Sequence, residues 1–152
     1  LASGFELEDV KLGNAIEKAC QARILIFAAA SNYGNVMGIA FPARKYVHSK
    51  LFCMFSTTPD VRATCVFNPS PLKRAAYNFA ILGENINLPG VENLRSGTSY
   101  SAMIGAAVAG LVLEFARHDD IRERDAQLPE QLQMVEGMSA VFAAMARDTD
   151  NG

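Results

Sequence analysis

The stretch that decides the reading is Ser96-Gly97-Thr98-Ser99-Tyr100-Ser101-Ala102. It runs into a segment, 100–117, that is small and apolar on nearly every side, which predicts a helix buried all round. A serine at such a junction has an ordinary role: its oxygen accepts a bond from one of the free N–H groups of the helix start, as an N-cap. It also has a chemical one. A helix N-terminus aims N–H groups and a partial positive charge at whatever sits there. Those groups can stabilise the oxyanion that forms when a serine attacks a carbonyl. Ala102, Gly105, Ala106, Ala109 and Gly110 are small enough to let the helix lie deep against a sheet. Spacing alone leaves both roles open.

Upstream, the pattern supplies that sheet. Residues 7–22 read as a helix, with Val10, Leu12, Ile16 and Cys20 at helical spacing, acids early and bases late. Ile24-Leu25-Ile26-Phe27 and then Ala28-Ala29-Ala30 form a continuous apolar run, as a fully buried parallel strand does. The run stops at Ser31-Asn32-Tyr33-Gly34-Asn35, a loop-forming cluster. Further strands are expected at 51–55, 64–67 and 79–82, separated by polar, proline-containing connectors. A last helix is expected over 129–146, with Pro129 at its start and Met134, Met138, Val141 and Met145 on its apolar face. Helices alternating with buried strands argue an α/β fold around one core, and the whole chain, 1–152, reads as part of a single domain.

Composition narrows the function classes. Half of the 152 residues are hydrophobic, a fifth are charged and the formal net charge is −2, ordinary for a globular domain. No basic stripe is present to neutralise phosphates, so nucleic acid is not an expected partner. The apolar stretch 102–115 is interrupted by Glu114 and is shorter than a bilayer span, so no membrane is expected either. Three cysteines, Cys20, Cys53 and Cys65, with no C-x-x-C spacing, suit neither a disulfide framework nor a metal cluster. They read as small buried hydrophobes in a reducing, cytoplasmic compartment, with no secretory signal in view. No cofactor or metal ligand set is expected, although calcium held by backbone carbonyls would leave little trace in sequence.

Gly97-Thr98-Ser99-x-Ser101-Ala102, followed by Ala109-Gly110, resembles the nucleophile signature of the subtilisin-like serine peptidases, G-T-S-x-[A/S]-x-P-x-x-A-G. Met103 or Ile104 stands where that family has its proline. Ala28-Ala29-Ala30-Ser31-Asn32-Tyr33-Gly34 is similar to the family's A-A-x-G-N-x-G element, with Ser31 in place of the glycine. The resemblance implies a subtilisin-like three-layer α/β fold with a parallel sheet, of which this chain is the C-terminal portion. It implies that Ser99 is the nucleophile and the Asn32 amide an oxyanion donor. Ala40-Phe41-Pro42-Ala43 looks like the G-Y-P-A element at the floor of the primary specificity pocket, and its X-Pro bond is a candidate cis peptide. Ala2-Ser3-Gly4-Phe5 matches the S-x-G strand lining the substrate cleft. The implied substrate-binding residues are therefore Ser3, Gly4, Ala29, Ala30, Ser31 and Ala40, with backbones 2–5 and 28–31 as rails for an extended peptide. The wording around 78–86 and 136–142 is similar to the intracellular fungal branch.

The same resemblance exposes a gap. The family runs Asp, then His, then Ser along the chain. Only about thirty residues precede Asn32, and they contain no histidine. His48 and His118 lack the family's H-G-T context and read as surface residues. Asp9 lacks the D-[ST]-G wording and reads as a helix-start acid. The chain opens on Leu1 rather than Met, and the expectation is that it begins midway through a peptidase domain. Without a general base the Ser99 hydroxyl stays weakly nucleophilic. The expected partners are thus a peptide or protein substrate and the N-terminal part of the same domain. The rival expectation is a non-catalytic pseudopeptidase serving as an interaction or regulatory module. An unrelated hydrolase would need G-x-S-x-G, which 97–101 does not supply.

Overall fold

The computed structural model describes residues 1–60, 65–72 and 77–146. Three strands, β1 (Phe27–Ala29), β2 (Phe52–Thr57) and β3 (Asn78–Leu82), form a parallel sheet in the order β1-β2-β3. Ala28 stands beside Cys53, and Phe55 beside Ala80. Because side chains alternate along a strand, each face of the sheet collects its own core. Phe27, Ala29, Phe52 and Met54 face α2 (Thr98–Ala116), α4 (Leu128–Leu132) and α5 (Val135–Met145). Ala28, Ala30, Cys53 and Phe55 face α1 (Val10–Gln21) and the 39–51 connector, meeting Ile16, Phe41, Tyr46 and Leu51. The result is three layers. A short α3 (Asp119–Arg124) joins α2 to α4.

The α2 side is aromatic: Phe27 stacks on Phe52 with ring centroids 4.6 Å apart, and Phe79 meets Phe142 at 5.3 Å. Gly105 lets α2 sit close, since a Cβ there would come within 2.7 Å of the Met54 methyl. The Phe41-Pro42 peptide is cis, as its sequence context suggested.

Several boundaries differ from the sequence expectations, each for a local reason. Helix α1 starts at Val10 because the Asp9 carboxylate caps it, accepting from the Leu12 N–H at 2.7 Å. Residues 6–8 stay outside, tied down by Arg44 to the Glu6 carbonyl and by Lys45 to Glu8. The strand begins at Phe27 rather than Ile24, because Arg23 is left-handed (φ 57°) and the Ile24 N–H still bonds to Ala19 of the helix. Of the strand expected at 64–67, Thr64 lies outside the described residues and 65–67 form a turn. β3 already occupies the place beside β2. The turn instead brings Asn68 onto β2 beyond the end of β1, where its amide accepts from the Ser56 N–H and donates to the Ser56 carbonyl at 3.0 and 2.6 Å.

The helix expected over 129–146 is two helices. Met134 is extended (φ −93°, ψ 146°), and the Gly137 backbone lies directly against the Gln131 carbonyl. The break turns Leu132, Met138 and Phe142 into one core, while Met134 and Met145 are left exposed. Helix α2 departs most. It spans 19 residues and, by length and composition, is long enough to cross a bilayer, contrary to the reading of 102–115 as too short. Nor is it buried all round: Ala102, Gly105 and Ala109 meet the sheet, but Met103, Leu111 and Phe115 are exposed.

Candidate active site

The N-terminus of α2 is positioned by β3. After Leu82 the chain passes Gly83, whose N–H bonds to Thr57 at 3.2 Å and whose carbonyl accepts from Gly97 at 2.8 Å. A side chain at 83 would collide with the hydroxyls of Ser56 and Ser101, so glycine is needed there. The intervening loop closes on itself through paired bonds between Ile86 and Arg95 (2.8 and 2.9 Å). Gly97 precedes the helix at φ 159°, ψ 152°, a conformation that is essentially glycine's alone. Inside the first turn, Ser101 anchors the helix by donating to the Ile81 carbonyl at 3.2 Å.

Asn32 reaches this helix start from the end of β1. Its Oδ1 accepts from the Thr98 N–H at 2.8 Å and from the Thr98 hydroxyl at 3.1 Å. Two donors on Oδ1 fix the amide's orientation, leaving Nδ2 beside Gly97, 3.1 Å from where a Cβ on that glycine would stand. The loop carrying Asn32 is held by the Gly34 N–H on the Phe67 carbonyl (2.8 Å). Ser31 takes φ 157°, the region glycine favours, and its hydroxyl accepts from the Tyr33 N–H at 3.2 Å.

Ser99 is the second residue of α2 and does not cap it; the residue before the helix is Gly97. Its hydroxyl donates to the Ala2 carbonyl at 2.7 Å. A carbonyl can orient a hydroxyl but cannot take its proton, so this contact supplies no general base. Neither histidine helps. His118 lies beyond the far end of α2, about 28 Å from Ser99 at 1.5 Å per residue. His48 ends the 43–48 turn, which packs in the α1 layer across the sheet. Asp9 is occupied as the cap of α1.

The expected substrate-binding residues do converge. Leu1 lies along β1, its nitrogen donating to the Phe27 carbonyl and its carbonyl accepting from the Ala29 N–H (2.6 and 3.0 Å). Phe5 and Phe41 exchange two hydrogen bonds, and Gly4 lies against the Ala40 methyl. The two rails differ, however. Ala29 and Ala30 are buried, with the Ala30 N–H on Met54 and its carbonyl on the Ala40 N–H. Ser3 and Gly4 are exposed and make no hydrogen bond among the described residues. Elsewhere, Lys45 draws the Glu8 carboxyl below the usual range, and burial pushes the Cys53 thiol well up.

No protein-family model and no curated protein matches this sequence. Solved structures do. The patellamide maturation protease PatG superposes with a TM-score of 0.68 at 19% identity, over 96% of this chain and 41% of that one. The patellamide maturation protease PatA gives 0.63 at 22% identity, over 95% and 62%. The prenylagaramide maturation protease PagA gives 0.63 at 20%, over 76% and 43%. The fold is subtilisin-like. The chain spans about half the length of the subtilisin-like structures it matches.

The sequence named Asn32 and Ser99 as candidates and did not show that Thr98 joins their segments. Thr98 is the link, and the G-T-S wording carried it without showing its use. The Ala2 carbonyl left no signal, because a backbone acceptor has no residue type. Gly83 was legible only as the end of a strand.

Proposed function

We propose that this chain is the nucleophile-bearing portion of a serine endopeptidase that hydrolyses peptide bonds through an acyl-enzyme on Ser99. One observation carries the reading: Ser99 at the start of α2 and the Asn32 amide beside it are locked together through Thr98. In this reading the Ser99 N–H and Asn32 Nδ2 hold the oxyanion. Of the rail 2–5, the substrate's backbone pairs with Ser3 and Gly4, since Ala2 and Phe5 are engaged by Ser99 and Phe41, while Ala29, Ala30, Ser31 and Ala40 shape the cleft wall and floor. As the Ser99 hydroxyl has, among the described residues, a carbonyl as its partner, the isolated chain is inactive or nearly so, and Asp and His come from the N-terminal part of the same domain. The compartment is cytoplasmic and reducing, and no cofactor takes part. The wording Asn78-Phe79-x-Ile81-Leu82-Gly83 keeps the intracellular fungal branch as the finer family reading.

A second reading, the non-catalytic pseudopeptidase, is favoured by Ser31 in a glycine's conformation and by the absent motif proline. A fluorophosphonate probe separates the two. Label on Ser99 in the full-length polypeptide, abolished by Ser99→Ala and absent from the isolated chain, supports the peptidase. No label on the folded full-length polypeptide leaves the pseudopeptidase.

A further inference from the structure

The loop that carries Asn32 leans on a segment far along the chain. Among the described residues, the Tyr33 and Val36 N–H groups bond only within the loop, to the Ser31 hydroxyl and the Tyr33 carbonyl. Apart from Asn32 on Thr98, the loop's hydrogen bonds to the rest of the described molecule lead to 66–70. The Gly34 N–H donates to the Phe67 carbonyl and the Ser70 N–H to Asn35 Oδ1, both at 2.8 Å. Gly34 is buried at φ 56°, and a Cβ there would stand 3.2 Å from the Val66 carbonyl, so backbone packs directly on backbone.

That segment is fastened in turn by one side chain. At the end of β1 the Ala30 carbonyl turns away to the Ala40 N–H, and Asn68 takes the next place along β2. Its carboxamide accepts from the Ser56 N–H at 3.0 Å and donates to the Ser56 carbonyl at 2.6 Å. A carboxamide can do this because it carries an acceptor and a donor side by side, as a strand's backbone does. Ser56 belongs to the fully buried middle strand of the sheet. A line of contacts therefore runs from the centre of the fold to the oxyanion candidate, through Ser56, Asn68, Phe67, Gly34 and Asn32.

We propose that Asn68 is a positioning residue: its clamp on Ser56 sets where the Asn32 loop stands and so where the Asn32 amide is aimed. This rests on the peptidase reading above and names what holds its oxyanion donor in place. The Thr98 bonds fix the far end of the Asn32 side chain; the loop sets the near end. Catalytic groups must keep their places to within about 0.5 Å, and a displacement of about 1 Å costs on the order of 10²-fold in rate. The clamp itself bonds to neither Ser99 nor residues 2–5, so its loss weakens the transition state more than substrate binding.

The test is a double-mutant cycle in the full-length polypeptide, with Asn68→Ala and Asn32→Ala alone and together. It is read by kcat and KM on a peptide substrate and by amide hydrogen exchange. For Asn68→Ala the expected result is a roughly tenfold fall in kcat with KM within about twofold, and no further fall where Asn32 is already alanine. The Thr98 amide, which bonds to Asn32, should exchange about tenfold faster, while that of Ala109, buried within α2, keeps its rate. An unchanged kcat, the same fall in the Asn32→Ala background, or equal acceleration at Thr98 and Ala109 would each overturn the proposal. If Asn68→Ala does not fold, Asn35→Ala decides, since it removes the exposed Ser70 tie alone; about a threefold fall in kcat is expected, with the same dependence on Asn32. Faster Thr98 exchange in Asn68→Ala, with no hydrolysis by the parent, removes the peptidase reading alone. Hydrolysis by the parent, with both readouts unmoved by Asn68→Ala, removes this inference alone.

Discussion

The two ends of α2 are made from similar residues and live in opposite conditions. At and before the N-terminal end three glycines have tenants: Gly83 faces two serine hydroxyls, Gly97 faces Asn32, and Gly105 faces Met54. Thr98 and Ser101 are buried and hydrogen-bonded to neighbouring elements. Towards the other end, Gly110 faces nothing within 4 Å among the described residues, and Leu111 and Phe115 are exposed. The contrast separates an end whose contacts are closed among the described residues from one whose contacts are not. In the proposed reading the first would be the oxyanion side of the site.

The largest effect tests the assembled end. Asn32→Ala removes the acceptor of both Thr98 donors, and Thr98 is 1% exposed. Leaving such donors unpaired costs about 1–3 kcal/mol, visible as a lower Tm. For subtilisin, loss of an oxyanion donor lowers kcat by about 10²–10³, and a drop of that order is expected in the full-length polypeptide. Asn32→Asp divides the two roles, because it keeps an acceptor for Thr98 and removes the outward donor. It should hold the Tm near that of the parent while keeping the loss in kcat. Equal activity of parent and Asn32→Asp would show that the amide donor is not used.

Gly83→Ala probes the packing behind that end. Its methyl would strike the hydroxyls of Ser56 and Ser101 and come within 3.0 Å of the Gly97 carbonyl. Overpacking of this kind costs about 1–3 kcal/mol, or a fall in Tm of roughly 2–10 °C for a domain of this size. A Tm unchanged within 1 °C, measured by calorimetry, would mean that the strand-to-helix junction yields, and that the sealed end is less rigid than the contacts describe.

How much of this could be read beforehand follows the same division. The three layers were legible because Phe27 to Ala30 and Phe52 to Phe55 are apolar at every position, as strands covered on both faces must be. Asn32 and Ser99 could be named as candidates because each sits in a short motif with a known likeness, and the structure brings their segments together through Thr98. The break at Met134 was hidden, since Met134, Met138, Val141 and Met145 keep helical spacing through it, and only the Gly137–Gln131 approach sets the kink. Residues 65–67 looked like a strand because β propensity records apolar character and not which strand already holds the neighbouring place. The exposed stripe on α2 was misread for a deeper reason. An apolar helix predicts that something covers it, and sequence does not say whether the cover lies in the same stretch of chain.

Gly110→Ala gives the smallest effect and the sharpest test of the contrast, because its sign carries the answer. In the chain as described, the added methyl meets open space, so only helix propensity acts, and alanine should gain about 1 kcal/mol. In the full-length polypeptide a covering segment over the stripe would meet that methyl, and the cost of overpacking, about 1–3 kcal/mol, outweighs the propensity gain. A lower Tm for Gly110→Ala in the full-length polypeptide is therefore expected. Ala107→Gly, on the same face one turn earlier, is the matched control, since removing a methyl there can only cost propensity and leave a small void. A Tm raised by roughly 2–4 °C for Gly110→Ala would mean that the face stays open in the native protein. The difference between the two ends of α2 would then be a property of the finished molecule and not of a part awaiting its complement.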